Sequence, residues 1–251
     1  MSFLANFVMD SLSTAGLPAH PTYRRILEHS YAAIPPFARD WFGTRYRELA
    51  RDPEWFANSL VANSALEGYG AVQIWKFSNR LEDERFAAAV RQHSLDESRH
   101  SAMFIRMLKL TFPNIEIDAK VETQIDKLQP HYTPRRHPPI EKRPPEERKV
   151  GRDAISELIQ VHITEIRALI LQHLLRPVML AYAPPSSIRV LTAASDMLIR
   201  DEARHIGYTA KFFEEAAAQG NGDFLFDAFE REAASFNELT LEELERDVVE
   251  V

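Results

Sequence analysis

The stretch LDESRH at residues 95–100 recurs in closely similar form as RDEARH at residues 200–205. Both copies contain the pentad Asp-Glu-x-Arg-His. Its Glu and His are three positions apart, which on a helix is about 60° around the axis and one turn along it. Both side chains can therefore reach one point, and the repeat predicts two halves of one site. The alternative is a solvated charge pattern that recurs on two unrelated helices.

The sequence around the pentads predicts helices. Only 8 of the 251 residues are Gly, and apolar residues return every three or four positions among frequent Ala, Leu, Glu and Arg. The pattern predicts an all-α chain with additional helices at the N- and C-terminal ends of a four-helix core. The predicted core helices cover about 53–79, 81–111, 148–182 and 187–219, with shorter helical pieces near 22–51 and 223–247.

Short joins connect the core helices in pairs. SNRLED supplies Asn79 as a C-cap, and AYAPPSS at residues 181–187 supplies prolines that stop one helix and serines that cap the next. Short joins predict two antiparallel hairpins. Between the hairpins lies a long crossover, about 112–147, in which residues 130–145 hold six of the 15 prolines. We expect this segment to return the chain along the bundle.

Each hairpin contains a lone carboxylate at the depth of its pentad. Glu67 and Glu165 are each embedded in apolar sequence. Glu67 and Glu97 are equidistant from the first join. Glu165 and Glu202 are equidistant from the second, so each lone Glu is predicted to face the Glu of a pentad. Burying an unpaired carboxylate costs several kcal/mol, so we expect a metal or, as the alternative, a salt bridge with an Arg such as Arg167.

Four carboxylates and two imidazoles at one level of a four-helix bundle form the ligand set of ferritin-like di-iron and di-manganese carboxylate proteins. Such ligands suit iron or manganese. Two divalent ions would offset the charge of about −4 that four Glu bring into an apolar interior. The predicted metal ligands are Glu67, Glu97, His100, Glu165, Glu202 and His205.

The other letters of the pentads can support the ligands. A ligating His normally donates its free N–H to a carboxylate, for which Asp96 and Asp201 are the nearest candidates. Arg99 and Arg204 follow these two residues by three positions and can hold them ionised. Ordinary surface ion pairs are the alternative.

Composition excludes other chemistries. With no Cys, any metal is held by His and carboxylate, and no thiol nucleophile is available. The net charge of −7 is spread along the chain, which argues against nucleic acid or an anionic membrane as partner. Neither a secretory signal nor a run of about 18 apolar residues is found, so we expect a cytoplasmic protein.

The spacing resembles that of a known superfamily. E-x28-D-E-x2-H from Glu67 to His100 and E-x35-D-E-x2-H from Glu165 to His205 are similar to the duplicated motif of ferritin-like di-iron oxygenases. These include the p-aminobenzoate N-oxygenase family and the bacterial multicomponent monooxygenases. The resemblance extends only from Glu67 to His205, and it implies iron at the six ligands and O2 as co-substrate of the diferrous form. We expect a single ferritin-like domain over residues 1–251, because a chain of this length can bury one substantial core.

Three positions bear on the subfamily. The arylamine N-oxygenases have a third His one turn before the Glu of the second pentad, where this chain has Leu198. His93 instead lies one turn before Glu97, and His162 one turn before Glu165. Each of these two histidines either ligates metal, forms a hydrogen bond, or packs in the core, and both are candidate catalytic residues.

We therefore expect an O2-activating di-iron oxygenase. It would hydroxylate or N-oxygenate a small or medium organic substrate and take electrons from a donor or reductase; manganese is the alternative metal, and a homodimer is compatible with the sequence. A ferroxidase or iron-handling protein without an organic substrate is the second hypothesis. A bundle that has lost its metal and serves protein interaction is the third.

Overall fold

The computed structural model of the protein describes residues 2–115, 123, 126–141 and 143–249. This part of the chain contains eight α-helices and no strand, which confirms the predicted all-α class. The helices are α1 (Phe3–Thr14), α2 (Pro21–Ser30), α3 (Asp40–Leu49), α4 (Pro53–Ser78), α5 (Glu84–Thr111), α6 (Gly151–Tyr182), α7 (Ile188–Ala216) and α8 (Gly222–Val249).

The chain divides into two compact units. Unit 1 consists of Met1–Tyr46, Val150–Leu174 and Ile199–Val251, and unit 2 consists of Arg47–Lys149 and Leu175–Leu198. Both α6 and α7 contribute residues to each unit. The single ferritin-like domain expected over the whole chain stays a prediction from the sequence.

The four long helices begin and end close to the predicted positions, and in α4 and α5 locally encoded caps mark the ends. The Asp52 side chain accepts a hydrogen bond from the Glu54 N–H at 2.9 Å at the start of α4. Asp83 does the same for the Phe86 N–H at 3.2 Å at the start of α5. Asn79 is the C-cap of α4, as predicted.

The first 20 residues contain a helix that the sequence interpretation did not assign. Ser2 is the N-cap of α1, where its hydroxyl accepts from the Ala5 N–H at 3.4 Å. The buried side chains Leu4, Val8 and Leu12 recur every four residues along α1. This spacing was available in the sequence and would have predicted an amphipathic helix.

Reciprocal serine contacts set the register of α4 and α5 in unit 2. The Ser64 hydroxyl donates to the Ser101 carbonyl at 2.8 Å, and the Ser101 hydroxyl donates to the Ser64 carbonyl at 2.7 Å. On the far side of Glu67, the Ser94 hydroxyl donates to the Ala71 carbonyl at 2.6 Å. The residue numbers rise on one helix and fall on the other, so the predicted antiparallel hairpin is confirmed.

The described part of the crossover packs against this hairpin in unit 2. The Tyr132 N–H donates to the Ser98 hydroxyl at 2.7 Å, and the Lys149 N–H donates to the Arg80 carbonyl at 2.6 Å. Gly68 is fully surrounded at this contact, because a Cβ there would overlap the carbonyl oxygen of Leu128. The lack of a side chain at Gly68 therefore serves close packing.

We predict that Gly68→Ala lowers the free energy of unfolding by about 1–3 kcal/mol, since the new Cβ displaces a backbone carbonyl rather than a flexible side chain. Gly70→Ala is the matched control. Its Cβ would meet only Glu97 Oε2 at 3.8 Å, so the better helix propensity of Ala should stabilise α4 by up to about 1 kcal/mol. Urea unfolding of the metal-free variants measures both changes, and equal effects would contradict the packing role of Gly68.

Candidate metal centre

Unit 2 brings together Glu67 of α4 with Glu97 and His100 of α5. The three residues offer ligand atoms that all lie within 4.8 Å of one another. His100 Nδ1 lies 3.3 Å from Glu97 Oε1 and 3.9 Å from Glu67 Oε2. The His100 side chain is fully buried, and the Glu67 and Glu97 side chains are 12% and 8% exposed. We call these three residues the first cluster.

Neighbouring side chains lower the pKa of Glu97 in this buried cluster. Burial raises the pKa of its carboxyl, but hydrogen bonds with Glu67, His100 and His93 outweigh that effect and hold the pKa well below its ordinary value. Two carboxylates in hydrogen-bond contact need a proton or a cation between them. The contact between Glu67 and Glu97 is therefore a place where a metal ion can replace a shared proton.

Unit 1 brings together a second set of the same composition, Glu165 of α6 with Glu202 and His205 of α7. His205 Nδ1 lies 3.2 Å from Glu165 Oε2 and 3.6 Å from Glu202 Oε2. All three residues are buried, with exposed fractions of 4%, 1% and 2%. We call these residues the second cluster. His162 contacts Thr209, and Glu165 contacts His205. The residue numbers rise along α6 as they fall along α7, so the two helices run antiparallel here.

The two clusters share one internal geometry. In each, the lone Glu comes from one helix, the Glu-x-x-His pair comes from the next, and the Nδ1 atom of the His faces both carboxylates. Two carboxylates and one imidazole carry a charge of about −2, which a divalent ion offsets. Oxygen donors with a single imidazole nitrogen suit iron or manganese. The residues of the first cluster could hold a metal ion, and iron or manganese at all six residues stays a prediction.

The pentad aspartates form the ion pairs that the spacing predicted. Asp96 Oδ1 lies 2.9 Å from Arg99 Nη1 and accepts from Gln92 Nε2 at 3.1 Å. Asp201 pairs with Arg204. Both aspartates are buried, whereas the arginines reach solvent with side chains 43% and 46% exposed. The role of Asp96 and Asp201 in orienting the histidines stays a prediction.

His93 and His162 have different surroundings. His93 is buried in unit 2, and its Nε2 lies 3.4 Å from Glu97 Oε1, so it can support or extend the first cluster. His162 is buried in unit 1, where Nε2 lies 2.8 Å from the Tyr23 hydroxyl and Nδ1 lies 2.6 Å from the Thr209 hydroxyl. Both ring nitrogens of His162 therefore have hydroxyl partners, which favours the hydrogen-bonding alternative over metal ligation.

Tyr23 and Thr209 were not among the residues singled out in the sequence. Thr209 lies one turn after His205 on the same helix, so its position near the second cluster follows from helical periodicity. Tyr23 belongs to α2, which is 139 residues away from His162 in the chain. No local pattern links residues so far apart, and only the folded structure shows their contact.

Comparisons with protein-family models, with curated proteins and with solved structures found no significant match to this chain. The assignment of the site therefore rests on the chemistry of its side chains. Among the described helices, none combines the length and the apolar character that a membrane span requires.

We predict that Fe²⁺ or Mn²⁺ stabilises the parent protein, because a ligand that binds only the folded state at about 100 times its Kd adds about 2.7 kcal/mol. Glu97→Ala should lose a large part of this gain. His29→Ala is the control, since His29 forms an exposed pair with Glu230 at 3.6 Å. Thermal unfolding with and without anaerobic metal measures the gain, and an equal gain in both variants would contradict the assignment of Glu97.

We also predict that Asp96→Asn weakens metal binding by about 10–100-fold if Asp96 orients a ligand, as partners of metal ligands commonly do. Arg99→Gln removes only the partly exposed end of the same ion pair and should have a much smaller effect. Calorimetric titration with Mn²⁺ measures both. A larger loss for Arg99→Gln than for Asp96→Asn would overturn the orienting role.

Proposed function

We propose that the chain is an O2-activating non-haem iron enzyme that binds two irons, one in each cluster, and oxidises a small or medium organic substrate. The observation that supports this proposal is the repetition of the ligand set. Each unit places two carboxylates beside one imidazole, and in each the same ring atom, Nδ1, faces both carboxylates. A single such cluster would support metal binding alone; two suit a reaction that needs more than one electron.

The chain supplies ligands that match such chemistry. When bound in the ferrous state, two irons supply electrons for the reduction of O2, and carboxylates tolerate the change in oxidation state because they can change their mode of ligation. Glu67 is the most exposed ligand side chain of the first cluster, at 12%. Gly70 lies one turn further along the same helix and leaves room beside Glu97 Oε2. We propose this side of the first cluster as the approach for O2 and substrate.

The metal stoichiometry tests the number of sites. Parent protein loaded anaerobically should hold two irons per chain. Glu97→Ala combined with His100→Ala should leave one iron, and Glu202→Ala combined with His205→Ala should also leave one. Mössbauer spectra of the loaded parent measure how many iron environments the protein holds and the oxidation state of each. A parent protein without iron would defeat the proposal and favour an interaction protein.

A single-turnover experiment tests the activity without an electron-donor protein. Chemically reduced, iron-loaded protein is mixed with O2 and with arylamines or fatty acids, and products are measured by mass spectrometry. We expect at most one oxidised product per two irons, with loss of product in the double variants and retention in His29→Ala. O2 uptake that builds a large ferric mineral core without any product would instead establish a ferroxidase or iron-handling protein.

A further inference from the structure

A buried chain of three polar side chains lies in unit 1 beyond the ligands. Tyr23 of α2, His162 of α6 and Thr209 of α7 are all fully buried. The Tyr23 hydroxyl lies 2.8 Å from His162 Nε2, and His162 Nδ1 lies 2.6 Å from the Thr209 hydroxyl. Metal binding does not need Tyr23, so this hydrogen-bonded series of side chains requires its own explanation.

The surrounding hydrogen bonds indicate which atom donates and which accepts in each of these two contacts. The Thr209 hydroxyl lies 2.9 Å from the backbone carbonyls of His205 and Ile206. A hydroxyl has one hydrogen, which points to these carbonyls, so Thr209 accepts from His162 and Nδ1 carries the imidazole proton. Nε2 of His162 then has a free lone pair. It follows that Tyr23 donates its phenolic hydrogen to that lone pair.

The surroundings keep both groups neutral at rest. Burial raises the pKa of Tyr23 well above its usual range, and burial lowers the pKa of His162 to about 3. The rings of Phe213 and Phe229 meet the imidazole edge-on, with centroids 5.2 Å and 5.6 Å away. A phenol that cannot ionise by itself is oxidised easily only when a base receives its proton in the same step.

We propose that Tyr23 is a redox-active residue that loses one electron while its phenolic proton moves to Nε2 of His162. The O–H bond of Tyr23 breaks and an N–H bond of His162 forms, which leaves a neutral tyrosyl radical beside an imidazolium. An oxidised phenol is a strong acid, so even a weakly basic imidazole accepts its proton. The electron acceptor is an iron centre oxidised by O2, and in this respect the inference rests on the proposed function. Tyr23 would supply that centre with one reducing equivalent.

Tyr31 offers a matched comparison in the same unit. Its side chain is also buried, at 1% exposed, and burial raises its pKa as well. Among the described residues, however, the Tyr31 hydroxyl has no hydrogen-bond partner. Both tyrosines are therefore buried, but only Tyr23 has a base, His162, beside its hydroxyl. Tyr31 should resist the oxidation that we propose for Tyr23.

The first experiment uses the full chain without metal, so its result does not depend on the proposed function. The residue 3-methoxytyrosine, which keeps the hydroxyl, is oxidised more easily and adds no exchangeable hydrogen, replaces Tyr23 or Tyr31, and a photo-oxidant generates the radical. We expect a higher radical yield and a longer lifetime at position 23. Deuterium ENDOR in D2O should show an exchangeable hydrogen bond to the radical at position 23 only. Equal yields and lifetimes, or no exchangeable coupling at position 23, would overturn the inference.

The second experiment uses iron-loaded protein, freeze-quenched after mixing with O2 in the absence of substrate. EPR should show a tyrosyl radical in the parent and in Tyr31→Phe, and no such radical in Tyr23→Phe. Parent protein grown with ring-deuterated tyrosine identifies the signal by its narrowed hyperfine structure. A radical that persists in Tyr23→Phe would overturn the inference. If the chain binds no iron, the proposed function fails, and the metal-free experiment still decides the role of Tyr23.

Discussion

The cost of burying carboxylates is the constraint on which the rest of this structure depends. Glu97, Glu165 and Glu202 are at least nine-tenths buried, and an ionised carboxylate in such surroundings costs several kcal/mol without a compensating charge. Each of them faces an imidazole nitrogen, which satisfies one lone pair and leaves a net negative charge. A divalent cation would remove that charge, and its binding would then stabilise the folded state.

The register between α4 and α5 brings the carboxylates and the imidazole of the first cluster together. The reciprocal bonds between Ser64 and Ser101 draw α4 and α5 together, because small side chains let the backbones approach closely. A shift by one residue would rotate Glu67 by about 100° away from its partners. The crossover reinforces the same level of the hairpin, where the backbone of Leu128 closes over Gly68.

Two histidines one turn from a ligand show how surroundings decide the role of one residue type. His93 points toward the carboxylate of Glu97, whereas His162 lies between two hydroxyls in an aromatic environment. The imidazole next to a carboxylate supports a charged site. The imidazole between hydroxyls is neutral and has one lone pair to accept a proton. The same sequence relation to a ligand Glu therefore leads to different chemistry.

The sequence by itself determined the four long helices, the two hairpins and the composition of each ligand set. These follow from local rules: caps at Asn79 and Asp83 end and begin helices, i,i+3 spacing pairs Glu with His, and equal distances from a turn match Glu67 with Glu97. The tertiary structure alone decided the partners of His162, the packing at Gly68 and the contact with Tyr23. Those depend on side chains from distant helices, and their distances come from packing, which periodicity along one helix does not encode.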